Sequence, residues 1–185
     1  MKMSTYIRWF LTIGLAFIIL GIPAVSCIED HEEGEYQDEH SSFAEVKIGD
    51  TIPAFVLKLN DGTTINSKDL KGNCSVLVFF HTKCKDCQVE LPVIQALYDQ
   101  QLPKVNIICI SRKEESPSID AYWTKEGLTL PYAAQKDGAL YYQFAQSLIP
   151  RVYVVNKSLQ VTEIYTDKDM ASLDDLLSDI NKIIL

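Results

Sequence analysis

Cys84 and Cys87 stand three residues apart in the stretch FFHTKCKDCQVELP, residues 79–92. Thiols so spaced can form a redox couple, half of a metal site or a structural staple. The apolar run SVLVFF (75–80) precedes them, and residues 85–101 follow with helical spacing that includes Val89, Val93, Ala96 and Leu97. Cys84 therefore falls where a strand ends and a helix begins, the place where sites of open α/β sheets gather. Unpaired N–H groups at a helix start favour an anion. A thiolate is an anion, so the position raises the nucleophilic fraction of Cys84 at neutral pH. Cys87 lies on the same helix face, one turn deeper. In a redox couple of this geometry Cys84 is the exposed attacker, and Cys87 the buried resolver that releases a mixed disulfide.

Other chemistries draw on the same residues. A zinc or copper site would use His81, Cys84 and Cys87, whereas structural zinc usually takes four ligands. The remaining downstream cysteines, Cys74 and Cys109, are not spaced as a second pair. Metal is not called for, and His81 reads as a pocket wall at the strand end. A structural disulfide in a non-enzymatic tethered module is a further reading, but a bridge closing so short a loop adds little entropic stabilisation. Cys74 starts strand 75–80 and Cys109 lies late in the strand VNIICIS (105–111). In parallel neighbours these thiols sit at opposite ends, too far apart to bridge. They read as buried free thiols packed as small apolar groups.

The elements that must position the pair alternate between strand and helix. AFVLKL and TTIN flank Asn60-Asp61-Gly62, a hairpin signal. SVLVFF and VNIICIS are continuous apolar runs, as expected of strands covered on both faces. SPSIDAYWTKEG carries Ser116 as cap, Pro117 at the first helical position and Gly127 as stop. YAAQ reads as a short strand and ALYYQFAQ as a short helix. RVYVV and QVTEIYT are strands about the turn Asn156-Lys157-Ser158. The last helix sets Leu173, Leu176, Leu177, Ile180, Ile183 and Ile184 on one face, with Ser172 and Asp175 as a capping box. The order predicts an α/β fold of three layers. Its central mixed sheet has an antiparallel late hairpin at one edge and helices on both faces.

The first forty residues have another character. Lys2 and Arg8 precede FLTIGLAFIILGI (10–22), and PAVSC leads to Cys27. This is the layout of an export signal. Ala24-Val25-Ser26-Cys27 resembles the lipobox of bacterial lipoproteins, which implies cleavage after residue 26 and a lipid on Cys27. An uncleaved membrane anchor over residues 9–28 is the other reading. Residues 29–40 hold seven acids and no base, too polar to fold, so residues 27–42 read as a solvated tether. His31 and His40 belong to that tether. Acids just after a lipidated cysteine also resemble the surface-export signal of some gram-negative lipoproteins. Seven of the 25 acids and two of the 17 bases precede residue 41, so residues 41–185 carry only −3 of the net −8. No basic patch marks a nucleic-acid partner. The organisation predicted is signal peptide 1–26, acidic tether 27–42 and one domain, 43–185.

C-x-x-C at a strand-to-helix junction in an exported α/β domain resembles thioredoxin. More narrowly, IGDTIPAFVLKLNDGTTINSKDLKGNCSVLVFFHTKCKDCQVELP resembles the TlpA/ResA-like branch of membrane-tethered thiol–disulfide oxidoreductases, relatives of the AhpC/TSA proteins, over about 48–185. The N-terminal β-hairpin, the approach from Gly49 to Pro53 and a strand–helix insert around 112–135 suit that branch. The resemblance implies that Glu90, three residues after the second cysteine, trades a proton with Cys87. A carboxyl near a buried thiol has the affinity for protons that this needs, although a solvent-facing helix glutamate is the alternative setting. Pro92 matches the proline of the active-site helix. Ile149-Pro150 matches the cis-proline that faces the cysteines, where a substrate strand docks its backbone.

The chain also departs from the branch. Lys83 stands where tryptophan is usual, Lys85-Asp86 lie between the cysteines where proline is common, and Ile149 replaces a smaller residue and narrows access. The lysines favour a thiolate at Cys84 and Asp86 opposes it. A peroxiredoxin shares the scaffold, but its motif needs threonine three residues before the reactive cysteine, where this chain has His81. The resemblance implies exchange with protein thiols and disulfides outside the cytoplasm, chiefly as a reductase, in cytochrome c maturation or envelope redox homeostasis. It also implies membrane attachment through lipid and electrons from a membrane or soluble thiol donor, and it implies no organic cofactor.

Overall fold

The structure, a computed structural model, describes residues 45–185 apart from 101, 103 and 104. The signal, Cys27 and the acidic tether lie outside the described residues. The elements run β1 (Val56–Lys58), β2 (Thr64–Asn66), a 3-10 turn (Ser67–Leu70), β3 (Cys74–Phe80) and α1 (Lys85–Asp99). They continue with β4 (Val105–Ser111), α2 (Ser116–Glu126), β5 (Tyr132–Ala133), α3 (Tyr141–Phe144), β6 (Arg151–Val155), β7 (Val161–Thr166) and α4 (Leu173–Ile184). Among the described residues no helix is long and apolar enough to cross a membrane.

β3 is central because it is apolar on both faces. All seven of its residues are buried, and the sheet order is β5-β4-β3-β6-β7. β3 pairs parallel with β4 and antiparallel with β6, and β6 with β7 forms the antiparallel edge. Strand side chains alternate between faces. Leu77 and Phe79 of β3, Ile108 and Ile110 of β4, and Tyr153 and Val155 of β6 feed one apolar layer. That layer is closed by Tyr141 and Phe144 of α3 and by Val46, Ile52, Phe55, Leu57 and Leu59 of the N-terminal segment and hairpin. Val76, Val78 and Phe80 of β3 face the other way. They pack with Leu91, Ile94 and Leu97 of α1, Ile119 and Trp123 of α2, and Leu176 and Ile180 of α4. Cutting one fully buried leucine here, such as Leu91, to alanine costs about 2–5 kcal/mol. The β1–β2 hairpin is a separate two-stranded sheet, turned by Gly62 at φ 87°.

Two local expectations change. The buried face of α1 is Cys87, Glu90, Leu91, Ile94 and Leu97, while Val89 is 58% exposed. The true stripe follows i, i+3, i+4, i+7 from Cys87, and at 100° per residue Val89 lies on the far side. Glu90 takes an interior place on that stripe, beside Cys87 and Leu91. At α2 the cap is Glu115, with Ser116 already helical, and no side chain caps the first turn. The Glu115 carboxylate turns instead to Lys136 Nζ, 2.8 Å away. Gly127 ends α2 in the left-handed conformation, φ 68°, and the Ser172–Asp175 box starts α4 as expected. The α1 helix stops at Asp99.

Candidate active site at the start of α1

Cys84 is the N-cap of α1, with extended backbone at φ −79°, ψ 122°. Its Sγ accepts the Cys87 N–H at 3.3 Å and donates to the Ile149 carbonyl at 3.5 Å. Both follow from chain direction. β3 delivers Cys84 to the carboxyl edge of the sheet, and antiparallel β6 begins at that same edge, so the Ile149-Pro150 turn ahead of β6 meets it. The Ile149–Pro150 peptide bond is cis. Ahead of it, Leu148 sits at φ 71° with its carbonyl held by the Tyr141 hydroxyl at 2.6 Å. Cys84, Cys87, Cys74 and Cys109 are all free thiols. Cys84 is half-buried and Cys87 fully buried. Burial, reinforced by the hydrogen bond with Cys84, pushes the Cys87 thiol strongly up.

Glu90 lies one turn beyond Cys87 on the same buried face and is only 2% exposed. One carboxyl oxygen, Oε1, has no hydrogen-bond partner, and the Ala171 N–H serves the carboxylate. Burial raises this carboxyl to about 7, and the Ala171 N–H opposes the rise only in part. Of the two settings open for Glu90 in the sequence, the buried one is observed. Pro92 lies inside α1, where it lacks the N–H that would bond the Gln88 carbonyl.

The turn between β3 and α1 is pinned in part by Thr82, Gln88 and Glu114, which no spacing in the sequence singles out. Cys84 N–H donates to the His81 carbonyl at 3.0 Å, and Gln88 Nε2 donates to the Thr82 carbonyl at 2.7 Å. The Thr82 N–H donates to Glu114 Oε2 at 2.9 Å, and its hydroxyl donates to Glu114 Oε1. His81 Nδ1 accepts the Lys83 N–H at 3.1 Å and lies 3.6 Å from Glu114 Oε2. Among the described residues no group of three or more His, Cys, Asp or Glu side chains converges as a metal site. Cys74 pairs in register with Val105 and Cys109 with Val78. The two thiols are four residues apart along the strands, about 13 Å, which rules out a bridge. Burial raises Cys74 to about 11 and Cys109 further.

A three-layer sheet with a helix-capping thiol, a buried second thiol and a cis-proline turn beside them defines a thiol–disulfide oxidoreductase of the thioredoxin superfamily. The family model described as Redoxin matches residues 47–182, and the chain belongs to that family, in its TlpA/ResA-like branch. It is 30% identical over 129 residues to the thiol-disulfide oxidoreductase ResA of Bacillus thuringiensis (strain Al Hakam), covering 69% of this chain and 75% of that protein. StoA from Bacillus subtilis shares the fold at TM-score 0.60 and 21% identity, over 68% of this chain and 95% of that one. The thioredoxin domain of a thiol-disulfide oxidoreductase from Bacteroides vulgatus does so at TM-score 0.65 and 16% identity, over 76% and 100%.

Proposed function

We propose that this protein is an extracytoplasmic, lipid-anchored reductase of protein disulfides that works through the Cys84–Cys87 couple. The observation that carries the reading is the Cys84 sulfur at the N-cap of α1, within reach of the Cys87 N–H and the Ile149 carbonyl. Reduced Cys84 attacks one sulfur of a substrate disulfide as a thiolate. A mixed disulfide forms, and the other substrate sulfur leaves as a thiolate. The Glu90 carboxylate takes the proton of Cys87, whose thiolate then attacks Cys84 Sγ. The Cys84–Cys87 disulfide closes, the second substrate sulfur leaves, and two electrons have passed to the substrate. The proton on Glu90 goes to a departing thiolate. A membrane or soluble thiol donor returns the couple to its reduced form. The turn at Ile149-Pro150 is the docking edge for the substrate backbone.

The location rests on the sequence pattern of residues 1–27, with Cys27 as the lipidated residue and residues 27–42 as the tether of domain 43–185. By analogy with the branch, its task lies in cytochrome c maturation or envelope redox homeostasis. Reduction of insulin disulfides tests the chemistry. Cys84→Ser should abolish it, and a variant that retains the parental rate would overturn the assignment. Cys87→Ala, which keeps the attacker and removes the resolver, should hold the physiological partner as a mixed disulfide identifiable by mass spectrometry.

A further inference from the structure

We infer that Glu114 is a positioning residue for the redox pair, its buried carboxylate clamping the turn that carries Cys84 onto the start of α1. The inference rests on the exchange reading for what the reactivity of Cys84 is for. Glu114 follows β4, is 32 residues from Thr82 in sequence and is 6% exposed. Both of its carboxylate oxygens are engaged by Thr82, one by the backbone N–H and one by the hydroxyl. A buried carboxylate is costly to desolvate and persists where charge-assisted donors meet it. An apolar residue would fill the same space without that cost, so these donors are what the position serves.

The anchor is itself rigid. The Glu114 N–H donates to the Gln135 carbonyl at 3.1 Å, and its carbonyl accepts the Ser111 hydroxyl at 3.0 Å. The Ser111 hydroxyl oxygen in turn accepts the Gln135 N–H at 2.8 Å. This knot joins the end of β4 to the segment after β5. The turn it holds, residues 81–84, belongs to neither strand nor helix and has no ladder of its own. Glu114 grips Thr82 from the sheet side and Gln88 grips the Thr82 carbonyl from α1. With both grips in place, Cys84 Sγ stays within reach of the Cys87 N–H. Two effects of Glu114 oppose each other. The clamp favours the Cys84 thiolate by holding it at the helix start, whereas the negative charge disfavours a second anion nearby. Glutamine separates them: its oxygen keeps the Thr82 N–H bond, its amide donates to the Thr82 hydroxyl, and the charge is gone.

The test is alkylation of the reduced full-length protein by iodoacetamide, with modified Cys84 quantified by mass spectrometry and folding followed by thermal melts. The readout is the ratio of rates at about pH 7 and about pH 10, which tracks thiolate fraction and not stability. Glu114→Ala should lower the ratio about threefold or more, and Glu114→Gln should keep or exceed the parental ratio. Thr82→Val, which loses the hydroxyl bond and keeps the backbone one, should fall between, and it decides the matter if Glu114→Ala does not fold. A parental ratio in folded Glu114→Ala, or in Thr82→Val where the alanine variant is unfolded, overturns the inference. So does a Glu114→Gln ratio as low as that of alanine. Alkylation needs no disulfide substrate, so a parent that fails to reduce insulin sinks the functional reading and leaves this comparison standing.

Discussion

Burial sets what the carboxyl of Glu90 can do. An ordinary glutamate titrates near 4.3, whereas this one is raised to about 7 by desolvation. That value suits the role proposed for it, taking the Cys87 proton at neutral pH and releasing it again. The same shift has a thermodynamic consequence. The folded protein binds this proton more tightly than the unfolded chain does. Its contribution is therefore fully present below the unfolded value and is lost as pH rises through 7. Reduced protein should lose on the order of 2 kcal/mol between pH 5 and pH 8 from this group. Glu90→Gln should remove that decline, read from urea midpoints at the two pH values. A parent with no steeper decline than the variant would contradict the assignment. Cys87 does not blur the comparison, since burial keeps it a thiol across the range.

At the level of the elements, helix ends are where side-chain chemistry and backbone geometry meet. α1 begins on a cysteine instead of a serine or aspartate, so the group that satisfies an orphan N–H is also the one we propose as nucleophile. α2 has no side-chain cap at its start, and its definition comes from the other end, at Gly127. That glycine is left-handed, and a β-carbon built on it would meet nothing within 4 Å. The cost of Gly127→Ala is therefore conformational alone, about 1 kcal/mol. It should appear as a small drop in the denaturation midpoint, with insulin reduction unchanged. A neutral result would show that the α2 end rearranges without loss. Val89 and Leu91 make the complementary point about periodicity. Both are apolar residues of one helix, yet only Leu91 meets the sheet.

For the whole molecule, the two faces of the sheet are covered by different means. Three long helices close the face beneath Cys87, while the opposite face relies on short α3 and on the chain before β3. Arg151, the residue after the cis-proline, is buried and pairs with Glu45 at the start of the described chain. A chain beginning at residue 67 would lose Val46, Ile52, Phe55, Leu57 and Leu59 from that layer. At about 1.5–3 kcal/mol each, the loss rivals the whole stability of a domain, about 5–15 kcal/mol. The truncated protein should show no cooperative thermal transition and should bind a dye specific for exposed apolar surface. A sharp transition within a few degrees of the parent would show that the hairpin is dispensable.

The sequence by itself determined what short-range chemistry encodes. The order of strands and helices, the place of the C-x-x-C pair at the start of α1 just after β3, the α4 capping box and the central position of the β3 run all follow from periodicity, caps and turns. It also put Glu90 on the face of Cys87 while leaving open whether that face was wet or dry. Only the tertiary structure decided that it is dry, that Val89 points outward, that Glu115 and not Ser116 starts α2, and that Glu114 reaches back to Thr82. Within the run RKEES, Glu114 looks like any solvated acid. Which acid is buried depends on what lies opposite it once the chain has packed. A side chain's neighbours across the sheet are set by strand order and register, and local spacing carries no record of either.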